Sequence, residues 1–428
     1  MTSSMTVTEL RRDFHQHPEV GFCEFRTASR AAGVLADLGW DVGAGADVLD
    51  PNTRLGMPAP EVLDAAYRRA ADADGDDRFL PAMRGGLTGV VATLRGKRPG
   101  PVVALRADLD ALPLSESDDP AHIPTRDGFR SRWPGAMHAC GHDGHVAVAL
   151  ELARRLSDQD FPGTVRLVLQ PAEEGGRGAA GMVAAGVADD VDIFLTAHLG
   201  MGLPTGTVCP AIPDLLANSK LRATFQGSAS HASMAPEQGR HALLGAAAAT
   251  LGVHTMPRFS GHETRVNVGM LTSGTSSNIV PDTAVMLLET RADDGTVNED
   301  LERRVRAVLA GAANMYGLEL TVTLVGAVTT ATNDPLLVNM IEEASRAAGA
   351  EVTGPGAGIG SDDATAFMRR VQDHGGVACY FGIGADSPAP HHASRFDIDE
   401  AALPVAVAVL EHVLRTGTTG NFSAGRFA

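Results

Sequence analysis

The chain opens with apolar positions at helical spacing. Glu9 to His17 predicts a short helix ended by Pro18, and Phe25, Ala28, Ala32, Leu35 and Leu38 mark one helical face before Gly39. Residues 46–88 lose this regularity. Their Pro, Gly and Asp content reads as an insertion, partly helical around 61–71. Short apolar runs of strand length follow at Gly89–Leu94, Val102–Leu105, Thr164–Leu169 and Val191–Leu195, with an apolar helix over Val146–Leu156. Continuous runs alternating with helices predict a mostly parallel sheet covered on both faces. Polar residues stand just past several of these runs: Asp108 and Asp110, then Glu173 and Glu174, then His198. The carboxyl ends of parallel strands are where α/β proteins bind ligands.

The pattern changes at about residue 217. A strand at Leu221–Phe225, an Ala-rich helix at Ala242–Val253, strands at Arg265–Leu271 and Thr283–Thr290, a helix at Leu301–Tyr316 and a strand at Leu318–Leu324 follow in that order. This β-α-β-β-α-β succession is the ferredoxin-like split motif. It interrupts the first domain, because helices at Leu336–Ala348 and Asp363–Val371, a strand at Val377–Phe381 and a helix at Ala401–Arg415 resume the earlier alternation. The expected fold is therefore α/β, with residues 1–216 and 329–428 forming a mostly parallel-sheet domain and 217–328 inserted into it. A length of 428 residues agrees with two domains, since single cores stop growing near ~250–300 residues. The Gly/Ser/Thr-rich tail, 416–428, reads as frayed.

A net charge of −17 argues against nucleic acid or an anionic membrane surface as partner. An anionic substrate would need positive charge supplied by the site itself. Cys23, Cys140, Cys209 and Cys379 are scattered without a CxxC pair, which fits a reducing cytoplasm. The N-terminal MTSSMTVTELRRDF has no apolar signal core, and no apolar run reaches the ~18 residues of a spanning helix.

Candidate chemistry concentrates in Met137–His145, MHACGHDGH, which holds three histidines, a cysteine and an aspartate in nine residues. A thiolate and an imidazole two positions apart suit a borderline divalent ion. Further ligand types arrive at Glu173-Glu174, His198 and His391-His392. Cys140, His142, one of the two glutamates, His198 and His392 make five ligands, too many for one tetrahedral ion and suited to two ions sharing a bridge. The second glutamate is then available as a general acid–base. Asp108 and Asp110 can orient histidines, although Asp108 can equally pair with Arg106.

The segments RADLDALP (106–113), MHACGHDGH (137–145), LQPAEEG (169–175), TAHLG (196–200), GSASHAS (227–233), GTSSNIVPD (274–282) and HHASRFDIDE (391–400) run in collinear order over nearly the whole chain. Together they resemble the metal-dependent amidohydrolase branch of the M20 metallopeptidase family. The resemblance implies a metallohydrolase domain with an inserted lid and dimerisation domain, and two divalent ions per protomer, with Mn²⁺ favoured and Zn²⁺ or Co²⁺ possible. Cys140, His142, Glu174, His198 and His392 would be ligands and Glu173 the general base. His231 and Asn278 would hold the substrate or its oxyanion, often across a homodimer. Arg291 would bind a substrate carboxylate, and Asp108 and Asp110 would stand behind the ligands.

The implied reaction is hydrolysis of an N-aroyl or N-acyl amino acid, such as an aminobenzoyl-glutamate-like compound. Two rivals are a hydrolytic deaminase releasing ammonia from an aminobenzoate-type arylamine, and a non-catalytic subunit paired with a catalytic homologue. The chain departs from the family pattern at four places. His241 stands where Asn or Asp is usual, Asp362 where Glu is common, His391 precedes the ligand histidine, and Ser233-Met234-Ala235 lacks a basic neighbour.

Overall fold

The computed structural model describes residues 5–213, 215–354 and 360–417. The tail expected to fray lies, from residue 418 onward, outside the described residues. The chain divides into two compact units, Met1–Pro213 with Ala331–Ala428, and Asp214–Thr330.

Twelve strands are formed among the described residues: β1 Asp41–Ala44, β2 Val90–Arg95, β3 Arg98–Asp108, β4 Pro162–Gln170, β5 Ile193–Leu199, β6 Thr207–Cys209, β7 Ala217–Gln226, β8 Thr264–Ser273, β9 Thr283–Ala292, β10 Glu319–Val328, β11 Glu351–Val352 and β12 Val377–Ile383. The first unit holds one eight-stranded sheet in the order β1-β2-β4-β3-β5-β12-β6-β11. Its centre, β4-β3-β5-β12, is parallel throughout. Antiparallel pairings are confined to its flanks, at β1–β2, β2–β4 and β12–β6. The sheet is thus mostly parallel where helices cover both faces. The continuous apolar runs record this, since residues 103–108 of β3 and every residue of β12 are buried.

Local signals explain the helix boundaries. Thr6 and Glu9 form a reciprocal capping box at the start of helix Val7–Gln16. Asp334 caps helix Pro335–Ala347, with Pro335 in the first turn. The helix expected from Val146 begins at His142 instead, behind Gly141 at φ +90°. Its first turn carries the polar residues His142, Asp143 and His145, so apolar periodicity starts one turn late. The 46–88 stretch contains helix Pro60–Asp72 and a short 3₁₀ turn, Leu80–Met83.

The second unit is a four-stranded antiparallel sheet ordered β10-β7-β9-β8, with helices Ala242–His254 and Gly295–Met315. Burial alternates along β9, as a sheet with one covered face requires. Leu221, Phe225, Ala246, Met286 and Leu309 are buried in its own core. No helix among the described residues is long and apolar enough to cross a membrane.

Candidate active site

The site of the first unit grows from the carboxyl ends of β3, β4 and β5, helix His142–Arg155 and the loop carrying residues 391–392. Its histidines can be oriented by a simple rule: a carbonyl oxygen only accepts, and a backbone N–H only donates. His142 Nδ1 lies 2.8 Å from the Asp110 carbonyl, so Nδ1 carries the hydrogen. In the neutral ring its Nε2 then presents a lone pair, and that atom is buried without a hydrogen-bond partner. His198 Nδ1 donates to the Leu199 carbonyl at 2.8 Å, which leaves its Nε2 lone pair 3.6 Å from Cys140 Sγ. His145 differs. Its Nε2 accepts the Leu199 N–H at 2.9 Å, so Nδ1 donates to Asp108 at 2.5 Å and neither nitrogen is available.

Two aspartates fix this arrangement. Asp108 holds His145 through one oxygen and Arg106 through the other, at 2.7 Å. The two roles considered for it, histidine orientation and an arginine pair, coexist. Asp110 is a junction. Its carbonyl takes the His142 hydrogen, while its carboxylate accepts the backbone N–H groups of Glu173 and Glu174, both at 3.0 Å. The turn bearing these glutamates starts at Ala172, whose φ of +51° is unusual outside glycine. Buried Glu24 secures it by accepting the Ala172 N–H at 2.8 Å.

The adjacent glutamates are pushed in opposite directions. Burial, with Asp362, Glu174 and Asp363 nearby, raises Glu173 well above the usual carboxylate range. Burial also works against charge on Glu174, but His392 and His142 outweigh it and lower its pKa. Separated proton affinities in neighbouring acids are what divided acid–base and ligand roles need. His392 Nε2 lies 3.2 Å from Glu174 Oε1. Burial likewise opposes charge on His142, yet Asp108 prevails and raises its pKa well above the ordinary value. Burial pushes the Cys140 thiol up to about 12, so a thiolate there needs a cation beside it.

A divalent metal fits these residues. Ligand atoms come within 4.8 Å of one another in the sets Cys140–Glu174–His392, His142–Glu173–Glu174 and Cys140–His198–His391. The buried His142 Nε2, without a hydrogen-bond partner, lies 4.0 Å from Glu173 Oε2 and would offer its lone pair to a cation that displaces the ring proton. Hence all six expected residues around the cluster, Cys140, His142, Glu173, Glu174, His198 and His392, are brought together.

Glu24 and Asp363 went unrecognised in the sequence; His145 and His391 stood among the conspicuous histidines without a role of their own, and Arg106, read as a partner of Asp108, also pairs with Asp362 and Asp363, at 3.1 and 3.4 Å. His145 had a signal, lying three residues after His142 on one helix face. Arg106 had one too, two residues before Asp108 on the same side of β3.

His231, Asn278 and Arg291 belong to the second unit. His231 is exposed, and its Nδ1 accepts the N–H groups of Ser233 and Met234 at 3.3 and 3.2 Å. In the neutral ring Nε2 is then an outward donor. Residues 231 and 279 form a bridge, and the Asn278 carbonyl accepts the Ala232 N–H at 3.0 Å, so the two loops are neighbours. Arg291 lines a cavity of about 480 Å³ and is held by Glu289 at 2.9 and 3.1 Å. His241 is the N-cap of helix Ala242–His254, its Nδ1 accepting the Leu244 N–H at 3.4 Å. It therefore does the capping work for which Asn and Asp are favoured.

Such a cluster at strand carboxyl ends defines a hydrolase built around divalent-metal ligands. The model of peptidase family M20/M25/M40 matches residues 104–416, and the chain belongs to that family. It is 44% identical over 409 residues to indole-3-acetyl-aspartic acid hydrolase of Enterobacter agglomerans, covering 94% of each chain. It is 43% identical over 405 residues to one subunit of p-aminobenzoyl-glutamate hydrolase from Escherichia coli strain K12, covering 94% of this chain and 93% of that one. The crystal structure of an aminobenzoyl-glutamate utilization protein from Klebsiella pneumoniae matches with a TM-score of 0.82 at 40% identity, over 95% of this chain and 94% of that one. The protein is a hydrolase of the amidohydrolase type.

Proposed function

We propose that the chain is a two-metal enzyme that cleaves the amide between an aromatic acyl group and an acidic amino acid, as in an aminobenzoyl-glutamate-like compound. The observation that carries this reading is the Glu173–Glu174 pair, one acid raised and one lowered beside a cysteine and imidazoles. Two relatives at 44% and 43% identity have names that join an aromatic acyl group to aspartate or glutamate. Exposed Met234 and Ile279, near His231 and Asn278 in sequence, suit the flat face of a ring.

In this reading Cys140, His142, Glu174, His198 and His392 hold the ions, with Mn²⁺ favoured and Zn²⁺ or Co²⁺ compatible with mixed thiolate, imidazole and carboxylate donors. When bound, such ions polarise a carbonyl and acidify water. Glu173 takes a proton from the attacking water and delivers it to the departing nitrogen. One water is consumed, the C–N bond breaks, and a carboxylic acid and an amine leave. His231, through its Nε2–H, and the Asn278 amide donate to the oxyanion. Arg291 meets a substrate carboxylate by exchanging its partner Glu289. Residues 217–328 act as a ferredoxin-like lid and dimerisation domain on a catalytic domain of 1–216 and 329–428. The working assembly is a homodimer, or a pairing with a homologous second chain, since one relative is by name one subunit of its enzyme. A cytoplasmic setting agrees with four free cysteines.

Hydrolysis in heavy-oxygen water tests the bond. Label in a released aromatic carboxylate, with free glutamate or aspartate as co-product, is expected. Label in a ring hydroxyl with ammonia released would make the chain an arylamine deaminase. Lack of turnover by the metal-loaded chain alone, restored by a homologous chain, would make it a non-catalytic subunit.

A further inference from the structure

His391 stands at the cluster without an assigned role. Its Nε2 lies 3.4 Å from the Leu199 carbonyl, the same oxygen that takes the His198 Nδ1 hydrogen at 2.8 Å. One carbonyl therefore sets both rings, leaving lone pairs on His198 Nε2 and His391 Nδ1. A ligand atom from each of Cys140, His198 and His391 falls within 4.8 Å of the other two.

The surroundings hold the His391 ring in place. Phe396 packs against it at 4.7 Å between centroids. Gly200, at φ +87°, leaves the ring its room, because a Cβ there would stand 3.0 Å from His391 Cε1. The next residue, His392, adopts φ +65°, a conformation costly for a side chain of this size. Its N–H donates to the Ala139 carbonyl at 2.8 Å, which ties the loop to the residue before Cys140. The left-handed turn lets consecutive histidines approach the same sulfur.

We propose that His391 is a metal-binding residue that completes, with Cys140 and His198, a thiolate–imidazole–imidazole set alongside Cys140–Glu174–His392. This rests on the metal-dependent reading above. Two imidazoles and a thiolate form a softer set than one containing a carboxylate, so this position takes Zn²⁺ or Co²⁺ more readily than Mn²⁺.

The test is cobalt binding to metal-stripped full-length protein, followed by elemental analysis and visible absorption. His391→Phe, which keeps the ring packing, and His391→Gln, which keeps a donor for Leu199, should each lower the affinity for one cobalt ion by at least about tenfold and alter the spectrum. Wild-type affinity and spectrum in both variants would overturn the proposal while leaving the metal-dependent reading intact. No cobalt binding by the wild type would overturn both. Should the variants not fold, carbethoxylation of wild-type protein decides: cobalt should shield His391 from modification, and equal modification with and without cobalt would overturn its role.

Discussion

The acid turn of the first unit and the His231 turn of the second are prepared to different degrees. Glu173 and Glu174 are set by three buried groups outside their own turn: Asp110 on both amides, Glu24 on Ala172, and Arg106 within the neighbouring carboxylates. Among the described residues the His231 ring is held by amides and a hydroxyl of its own turn, and it stays exposed. The first arrangement is complete before anything binds. The second presents a donor to whatever arrives. On the proposed reading, reactivity and recognition fall to different parts of the chain, with preorganisation greatest where protons would move.

Glu173→Gln should have the largest effect. A loss of ~10²–10⁴ in kcat is expected with metal content unchanged, measured by turnover alongside elemental analysis. Chelation, in contrast, should remove metal and activity together, and added Mn²⁺ or Zn²⁺ should restore both. A Glu173→Gln protein that has lost its metals would erase the division between the two glutamates.

His231→Ala should cost ~10²–10³ in kcat if its Nε2–H serves the oxyanion. Mixed with Glu173→Gln protein after protomer exchange, it should regain part of the activity. Absence of any recovery despite confirmed exchange would return His231 to its own protomer's site, or remove it from catalysis.

Asp110→Asn sharpens the contrast from the other side. It replaces one accepting oxygen by a donor facing a glutamate N–H, so metal affinity should fall by about 10–100-fold, read by competition with a chelator. Unchanged affinity would mean that the acid turn holds its shape without Asp110.

A last expected effect, on stability alone, lies in the fold around the site. Burial works against a charged His15, but hydrogen bonds to Asp143 and Glu116, at 2.8 and 3.0 Å, prevail and raise it to about 9 from 6.5. The folded state thus binds this proton more tightly than the unfolded chain. The stabilisation is complete below pH 6.5, declines as pH rises toward 9 and is absent above it. Its size is on the order of 3 kcal/mol at one RT ln 10 per pKa unit. Denaturant melts across this range should show the decline, and His15→Gln should flatten it.

Periodicity made the central strands and most helices legible, because burial on two faces leaves continuous apolar runs and burial on one face leaves alternation. It failed where elements are too short to show a period, as in β6 and β11, or where function occupies the first turn, as at His142. The ligand-type residues could be read because each is chemically conspicuous and stands at a strand end. The supporting groups could not. Glu24 and Asp363 look like ordinary surface acids in sequence, and only the fold brings Glu24 to Ala172 and Asp363 to Arg106. At His241 the departure from Asn or Asp still leaves the helix capped, a use the sequence did not reveal.

The Leu199 peptide group has a consequence for how this site can change. Its N–H sets His145 and its C=O sets His198 and His391. A main-chain carbonyl is present whatever residue occupies the position, and of the twenty residues only proline removes the N–H, so point mutations other than to proline leave both groups in place. Drift can remove a ligand or exchange one ligand type for another, but the direction in which the surviving imidazoles offer their lone pairs is inherited with the strand. Descendants of this chain can therefore vary the metal and the substrate while keeping the same protonation pattern.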